Sequence, residues 1–259
     1  MRDILDAVAA GELSPEAAEA KLSGYATSDA GRYDAARETR SGVPEAVYAD
    51  GKTPEEVATL VATSVETTGR AIATRLTDPQ VRATRERLDK EFPDASIRLN
   101  GRAGVLVAHG ADVSVPDLDA SVCVVTAGTS DAVPAGEAAA VLREMGASVE
   151  RISDVGVAAL TRLTDRLDDL RAHDVLIVAA GREGALPTVT AGLVDVPIIG
   201  LPVSTGYGHG GDGEAALSVM LQSCTALSVV NIDAGFTAGV QAGLIARQVD
   251  ASRTESGES

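Results

Sequence analysis

The chain is poor in lysine, cysteine and aromatic residues, and it lacks a long apolar run. Three of its 259 residues are Lys, two are Cys, none is Trp, and the aromatic residues make up 2%. Two cysteines are too few for the disulfide framework of a small secreted domain. The sequence shows neither a secretory leader nor an apolar run of transmembrane length. We therefore expect a cytoplasmic protein with reduced thiols and no membrane partner.

Positive charge is also scarce. The chain has 22 Lys and Arg residues and 38 acidic residues, and its net charge is −16. A surface this acidic disfavours nucleic acid and anionic membranes as partners. Together with the scarcity of Lys, it predicts a halophilic protein, in whose cytosol concentrated cations screen the repulsion between carboxylates. We expect a higher melting temperature in molar KCl than in dilute buffer. A merely acidic protein from an ordinary cytosol would not show this difference.

The first part of the chain mixes short helices and strands. Residues 1–24 predict two short helices, and residues 26–52 are polar and rich in turn-forming residues. A capping box that begins at Thr53 opens a longer helix, which the sequence predicts to reach about Arg75. We expect residues 1–118 to form a small α+β region.

From residue 121 onward, strands and helices alternate. This alternation is typical of an α/β fold with a parallel sheet flanked by helices on both faces. We expect the domain, Rossmann-like in its three layers, to occupy residues 119–250 and a disordered tail to occupy 251–259. The predicted strands are 122–126, 148–152, 175–179, 197–201 and 228–232, and the predicted helices are 134–145, 157–170, one leading to Cys224 and one ending near Val249.

Glycine and polar residues follow three of these strands. After the first strand, Gly128-Thr129-Ser130-Asp131 offers backbone N–H groups and a hydroxyl to a phosphate, although an ordinary capped loop has the same composition. After the third strand, Glu183 lies between Gly181 and Gly184. It is either a solvated loop charge or a general base placed over a ligand. Because ligands of parallel sheets bind beyond the carboxyl ends of the strands, these loops are the candidate site.

A third loop, between residues 204 and 213, is rich in glycine and precedes the helix that leads to Cys224. It is either a surface loop or a mobile lid. Cys224 itself lies where a helix stops and an apolar strand begins. A free Cys is most often a small buried hydrophobe, and the alternative is a reactive thiol on a loop.

Other residues with potential for chemistry have ordinary explanations. Cys123 lies within an apolar strand, and neither His109 nor His173 has a partner at metal-ligand spacing. We expect all three to be structural. The sequence contains no zinc motif.

The order of the motifs resembles a known family. Residues 121–249 resemble the domain of phosphoribosylaminoimidazole carboxylases and mutases, with the loop 128–131 at the position of their phosphate loop. Nearly the whole chain resembles the LarB family, the pyridinium-3,5-biscarboxylic acid mononucleotide synthases of nickel-pincer nucleotide cofactor synthesis. The segments that carry this resemblance are RETRSGVPE at 37–45, DVGVA at 154–158, EGALP at 183–187, STGYG at 204–208, and VVNID at 229–233 with Gly235 and Phe236.

The resemblance implies a reaction. LarB enzymes carboxylate the pyridinium ring of nicotinic acid adenine dinucleotide, for which NAD is an analogue, and hydrolyse its phosphoanhydride with release of AMP. Cys224 matches the nucleophile of the family and Glu183 its acid/base. The resemblance also implies a homo-octamer, CO2 or bicarbonate as a substrate and no tightly bound cofactor, and it leaves a requirement for Mg²⁺ open.

Two other functions are alternatives to the one that the resemblance implies. The purine enzymes carry Ser-Ala-His-Arg where this chain has SDVG at 153–156, so a purine carboxylase or mutase would lack its catalytic His. A non-catalytic nucleotide-binding module would bind the dinucleotide without releasing AMP.

The resemblance to the LarB family also implies a set of substrate-binding residues. They are Gly128, Thr129, Ser130, Asp131, Asp154, Gly181, Gly184, Ala185, Ser204, Gly206, Tyr207, Gly208, Asp233, Arg37 and Arg40.

Overall fold

A computed structural model of the protein describes residues 2–11, 13–206 and 208–257. The chain divides into two compact units, Met1–Ser114 and Val115–Ser259. This division falls just before the boundary that we predicted at residue 118. None of the described helices is both long enough and apolar enough to cross a bilayer.

The N-terminal unit combines helices with two small sheets. β1 and β2 form an antiparallel pair, and the larger sheet has the order β3-β4-β6-β5, with β3 and β4 parallel and the other pairs antiparallel. Its core joins Val61 of the fourth helix and Leu88 of the fifth to Leu106 of the last strand. In chain order the elements are α1 (Arg2–Ala9), α2 (Pro15–Ser23), β1 (Ala26–Ser28), β2 (Gly31–Tyr33), α3 (Arg37–Ser41), β3 (Val47–Tyr48), α4 (Pro54–Thr68), β4 (Arg70–Thr74), α5 (Asp78–Glu91), β5 (Ser96–Asn100) and β6 (Val105–His109).

The helix α4 ends earlier than the sequence predicted. The prediction extended it to Arg75, but it ends at Thr68, and Gly69 follows with a φ of 77° and donates its N–H to the carbonyl of Val65. Such a left-handed cap stops a helix, and glycine adopts it without steric cost. Arg70–Thr74 is instead the fully buried strand β4, in the middle of the sheet.

The second unit is a three-layer α/β domain, as predicted. Its five strands are all parallel and have the order β11-β10-β9-β7-β8. Short 3₁₀ turns at Thr129–Asp131 and Val157–Ala159 lead into helices. The elements are β7 (Ser121–Thr126), α6 (Ala132–Glu144), β8 (Ser148–Ile152), α7 (Leu160–Thr164), α8 (Leu167–Arg171), β9 (Val175–Ala180), α9 (Ala185–Ala191), β10 (Ile198–Pro202), α10 (Glu214–Leu221), β11 (Ser228–Val229) and α11 (Gly235–Gly257).

Alternate residues of the buried strands face opposite helical layers. Val122 and Val124 of β7 share a core cluster with Ala138 of α6. Cys123, between them, belongs to the other cluster, together with Leu186 of α9. This two-residue alternation with both faces buried explains why the inner strands β7, β9 and β10 are continuous apolar runs in the sequence, whereas the edge strand β8 carries charged residues.

Two elements of this unit are shorter than predicted. The helix predicted at 157–170 is divided, because the backbone at Arg166 hydrogen-bonds to the carbonyl of Leu163, three residues back, rather than continuing the helical pattern. The apolar spacing survives the break, and Leu163 and Leu170 are both fully buried. The strand predicted at 228–232 ends at Val229, since the chain turns after it and the N–H of Ala234 donates to the carbonyl of Asn231.

The last helix is longer than predicted. We expected fraying from Ala251 and disorder over 251–259, but α11 continues to Gly257. The reason is tertiary, because Arg253 forms an ion pair of 2.6 Å with Asp174 and donates to the carbonyl of Asp119. Partial burial raises the pKa of Asp174, but the hydrogen bonds from Arg253 and from Ser121 outweigh it and lower that pKa overall.

Candidate active site

A cleft of about 420 Å³ opens at the carboxyl end of the parallel sheet, where β7 and β9 lie side by side. The strand order reverses here, because the chain leaves β7 towards β8 on one side and leaves β9 towards β10 on the other. Open α/β sheets bind ligands at such a reversal. The described residues that line the cleft are Ala127, Gly128, Ser130, Asp131, Gly156, Val157, Ala158, Ala180, Gly181, Arg182, Glu183, Gly184, Leu186 and Thr205.

The first wall of the cleft is the loop after β7. Asp131 is almost fully buried, and its Oδ2 accepts a hydrogen bond of 2.8 Å from the N–H of Gly128. Burial raises the pKa of Asp131, against hydrogen bonds from Gly128, Ala127, Ser130 and Thr205 that lower it. The loop is therefore a capped βα loop, and it also holds a carboxyl group that can keep a proton at a higher pH than usual. Thr129 is exposed and outside the lining.

The second wall is the loop after β9, which carries Glu183. Gly181 passes so close beneath the third loop that a Cβ on it would lie 2.6 Å from the carbonyl oxygen of Thr205. Gly184 adopts a φ of 66° and begins α9, of which Ala185 is the first residue. The two glycines thus set the path of the backbone on both sides of Glu183, whose exposed side chain borders the cleft.

The third loop follows β10 and is braced from β11. The N–H of Ser204 donates to Oδ1 of Asp233 over 3.0 Å, and the N–H of Asp233 donates to the carbonyl of Pro202 over 2.9 Å. Asp233 has a φ of 56°, a strained value for a residue with a side chain. Neither Ser204 nor Asp233 lines the cleft. Both hold the loop that brings Thr205 over it, with Gly206 packed near the Cα of Arg182.

Two further predicted residues, Asp154 and Gly208, lie elsewhere. Asp154, with a φ of 63°, forms an ion pair of 2.7 Å with Arg162 and does not line the cleft. Residues 156–158, close to Asp154 in the sequence, line the cleft instead. Gly208 is exposed in the turns that precede α10, and Tyr207 lies outside the described residues.

The two predicted arginines lie in the N-terminal unit, on the short helix α3. Arg37 forms an ion pair of 2.7 Å with Glu45, and Arg40 forms one of 2.6 Å with Asp34. The hydrogen bond from Arg40 lowers the pKa of Asp34. The substrate-binding role of both arginines stays a prediction.

Three parts of the cleft lining were not predicted as site residues, namely Arg182, Thr205 and the segment 156–158. Arg182 and Thr205 each adjoin a predicted residue, so adjacency within a loop was the available signal. The segment 156–158 reaches the cleft because the N–H of Gly156 donates to the carbonyl of Ala127 over 3.0 Å. That contact joins the loops after two neighbouring strands, which only the register of the sheet determines.

Cys224 is an exposed thiol on the loop between α10 and β11. Next to it, the hydroxyls of Ser223 and Thr225 are 2.6 Å apart, and that of Thr225 donates to the carbonyl of Thr188 in α9 over 3.4 Å. These bonds tie the loop to the domain and leave the thiol open to solvent.

Within one chain, Cys224 and Glu183 lie towards opposite ends of the sheet. Ala216, near the start of α10, packs against Gly184 beside the cleft. The five residues of α10 after Ala216 rise about 7.5 Å away from this contact before the Cys224 loop begins. Cys224 is not among the described residues that line the cleft, and its pairing with Glu183 stays a prediction.

The other candidate groups have structural environments. Cys123 is fully buried, and burial, reinforced by Glu150, raises the pKa of its thiol to about 12, so that it stays protonated. His173 contacts the carboxylate of Glu150 at 3.2 Å. Among the described residues, no group of three or more His, Cys, Asp or Glu side chains is arranged to hold a metal ion.

Comparisons with known proteins agree over the two units. A family model described as AIR carboxylase matches residues 121–258, and one described as LarB/PurE-like N-terminal domain matches residues 25–108. The uncharacterized protein MJ0165 of Methanocaldococcus jannaschii is 39% identical over 253 residues, which are 95% of this chain and 97% of that protein.

Two solved structures from Treponema denticola are also similar. A variant of PurE2 is 20% identical and covers 56% of this chain and 92% of its own, with a TM-score of 0.40. PurE is 19% identical and covers 53% of this chain and 90% of its own, with a TM-score of 0.41.

Proposed function

Because the chain belongs to the LarB family of carboxylase-type enzymes related to PurE, we propose that it is a pyridinium-3,5-biscarboxylic acid mononucleotide synthase. In this proposal it carboxylates the pyridinium ring of nicotinic acid adenine dinucleotide and hydrolyses the phosphoanhydride, which releases AMP. CO2 or bicarbonate is the second substrate, and the chain holds no tightly bound cofactor. Whether the hydrolysis uses Mg²⁺ is one arm of the test below.

The observation that supports this proposal most is the position of Glu183. It borders a cleft at the reversal of strand order, on a loop whose two glycines set the path of its backbone. A base that removes a ring proton must lie over the ligand, within hydrogen-bond reach of the carbon that loses it. Asp131, on the opposite wall, adds a buried carboxyl group with a raised pKa.

The proposed chemistry turns an electrophile into a nucleophile. The thiolate of Cys224 adds to a ring carbon, and the pyridinium becomes a neutral dihydropyridine. Its enamine carbon attacks CO2 and forms the new carbon–carbon bond, and Glu183 removes the proton from that carbon. The electron pair left behind expels the thiolate and restores the aromatic ring. One proton is released for each carboxylate formed.

This chemistry needs the thiol of Cys224 at the cleft. Within one chain, the loop that carries Cys224 lies apart from the cleft. We propose that Cys224 serves the cleft of a neighbouring copy in a closed homo-oligomer, an octamer by family resemblance. Exposed apolar side chains lie beside both parts, with Val219 and Leu221 next to the Cys224 loop and Val133 and Leu160 next to cleft residues in sequence. Contact between two different surfaces of identical chains generates a ring when the rotation closes.

The reaction is tested by incubating the protein with the dinucleotide and bicarbonate at high KCl, with Mg²⁺ or with EDTA, and analysing the products by mass spectrometry. We expect a mononucleotide heavier by one carboxylate and an equal amount of AMP, both dependent on bicarbonate. Saturable binding without AMP would favour a non-catalytic module. Carboxylation of an aminoimidazole ribonucleotide in place of the dinucleotide would favour a purine enzyme.

The shared site is tested by mixing two inactive variants, Cys224→Ala and Glu183→Gln, after dissociation and reassembly. If each site draws its Cys and its Glu from different chains, random mixing restores about a quarter of wild-type turnover, because half of the clefts and half of the thiols are intact. Each variant reassembled alone is the control. No recovery in mixed oligomers would mean that both groups come from one chain.

A further inference from the structure

The walls of the cleft carry an unbalanced charge. Asp131 and Glu183 contribute carboxyl groups, and of the described residues that line the cleft, Arg182 alone carries a positive charge. A ligand with a carboxylate would meet repulsion from Glu183 unless a cation lay beside it. A guanidinium is the group best suited to this, since it donates two parallel hydrogen bonds to the two oxygens of a carboxylate.

The backbone beneath Arg182 is held from two sides. Gly181, directly before it, is buried against the carbonyl of Thr205, and Gly206 packs near the Cα of Arg182 itself. The N–H of Val203 donates to the carbonyl of Ala180 over 3.1 Å and ties the ends of β9 and β10 together. Arg182 therefore borders the cleft from a fixed backbone, with an exposed side chain.

Arg182 and Glu183 are consecutive residues, and both line the same cleft. A ring bound with its proton-bearing carbon near Glu183 can therefore place a substituent near Arg182. An anionic substituent would be attracted there, whereas a neutral amide would accept a weaker hydrogen bond from the guanidinium, without the attraction between opposite charges.

We propose that Arg182 is the specificity-determining residue that selects a pyridine carboxylate over the corresponding amide. This inference rests on the proposed function and assigns the group that reads the ring substituent. Phosphate has the same anionic oxygens as a carboxylate and is the competing partner for Arg182. Nicotinic acid adenine dinucleotide and NAD carry the same two phosphates and differ at the ring substituent, so together they separate the two cases.

The test compares the dissociation constants of both dinucleotides for the full-length protein with and without Arg182→Met, by calorimetry at one fixed salt concentration, with all proteins carrying Cys224→Ala so that no covalent adduct forms. We expect the Cys224→Ala protein to bind the acid more tightly than the amide. Arg182→Met should weaken binding of the acid by about 10- to 100-fold and leave binding of the amide nearly unchanged, as for the loss of a charge-assisted hydrogen bond. Arg182→Lys should retain part of the preference for the acid, because lysine keeps the positive charge but cannot donate two parallel hydrogen bonds to a carboxylate.

Arg151→Met is the matched control, since it removes an exposed arginine of the same unit that does not line the cleft. It should bind both dinucleotides as the Cys224→Ala protein does. If Arg182→Met weakens the binding of both dinucleotides equally, the ratio of their dissociation constants stays unchanged. That result would identify a phosphate contact and overturn the inference. If the wild type binds the acid selectively but forms no carboxylated product, the proposed function fails while the assignment of Arg182 stands.

Discussion

The two ends of the parallel sheet hold their loops in different ways, although the same strands and helices meet at both. At the carboxyl end, backbone packs on backbone, as where Gly181 lies beneath Thr205, and a carboxyl group is buried at Asp131. At the amino end, the loop of Cys224 is tied through the hydroxyl of Thr225, and the thiol is exposed. One end thus forms the cleft, and the other exposes a thiol.

This difference shows how a chain can hold reactive groups that do not meet within it. The loops that follow parallel strands converge on a crevice where the strand order reverses. Loops that follow the helices return to the opposite end and cannot reach that crevice. In the proposed mechanism, the thiol of Cys224 therefore acts at a cleft that another copy supplies.

The largest effect that we expect comes from the amino end. Cys224→Ala should abolish formation of the carboxylated product and leave dinucleotide binding largely intact, because it removes the nucleophile and no cleft residue. Product formation is measured by mass spectrometry and binding by calorimetry. Incubation of the wild type with NAD should trap a thiol–ring adduct, visible as added mass and as absorbance of a dihydropyridine.

Cys123→Ala is the control for this variant. Since the thiol of Cys123 is buried and stays protonated, a folded Cys123→Ala protein should keep its turnover and form the NAD adduct. Carboxylation by Cys224→Ala would mean that no covalent step at this residue is needed.

The next effect concerns the carboxyl end. Glu183→Gln keeps the shape of the side chain and removes its capacity to accept a proton. We expect turnover to fall by about 10²- to 10⁴-fold, with little change in the dissociation constant of the dinucleotide. Single-turnover kinetics at saturating substrate measure the loss. Near-normal turnover would identify Glu183 as a solvated loop charge.

A smaller effect should follow from closing the space between the second and third loops. In Gly181→Ala the new methyl group meets the carbonyl of Thr205 at 2.6 Å, so the loops must separate, at a cost of about 1–3 kcal/mol in the free energy of unfolding. Dinucleotide binding should weaken as well. Urea denaturation and calorimetry measure the two quantities.

Gly192→Ala is the matched control at the amino end of the sheet. A Cβ there finds its nearest neighbour at 3.5 Å, and its backbone is right-handed helical, with a φ of −83°. We expect stability and binding close to those of the wild type. Equal destabilisation by both substitutions would mean that the two ends are packed alike.

The smallest effect concerns the titration of Asp131. Its raised pKa means that the folded protein keeps this proton to a higher pH than the unfolded chain does. Stability from this group is therefore complete below the ordinary aspartate pKa and is lost as the pH rises through the raised value. Asp131→Asn should remove this contribution to the dependence of the free energy of unfolding on pH. Urea denaturation at several pH values from moderately acidic to neutral measures it, and an unchanged slope would contradict the assignment.

Much of the α/β unit could be predicted from its sequence. Continuous apolar runs such as Val122–Val125 predicted the strands, because a parallel strand is buried on both faces. The loops with Gly128 and Glu183 were placed correctly at the carboxyl ends of their strands. The errors lay at element ends, where one backbone conformation decides, as at Gly69 after α4.

The candidate site was predicted in part. Asp154 and Ser204 share segments with cleft residues, yet the side chain of Asp154 pairs with Arg162 and the backbone of Ser204 is held by Asp233. Sequence spacing cannot separate a residue that faces a ligand from one that holds its neighbour, because the two are adjacent on the same loop. The tail from Ala251 was misjudged for a related reason, since its helix depends on the ion pair between Arg253 and Asp174.

The sequence by itself determined the layered α/β class and the order of the motifs, and it is the source of the chemistry that we propose for Cys224 and Glu183. These depend on local patterns, since hydrophobic period and residue type are both written along the chain. The tertiary structure alone decided that Glu183 shares a cleft with Asp131 and Arg182, whereas Cys224 lies at the far end of α10. Proximity in a parallel sheet depends on strand order and on the direction in which each helix returns, and neither can be read from the spacing of residues.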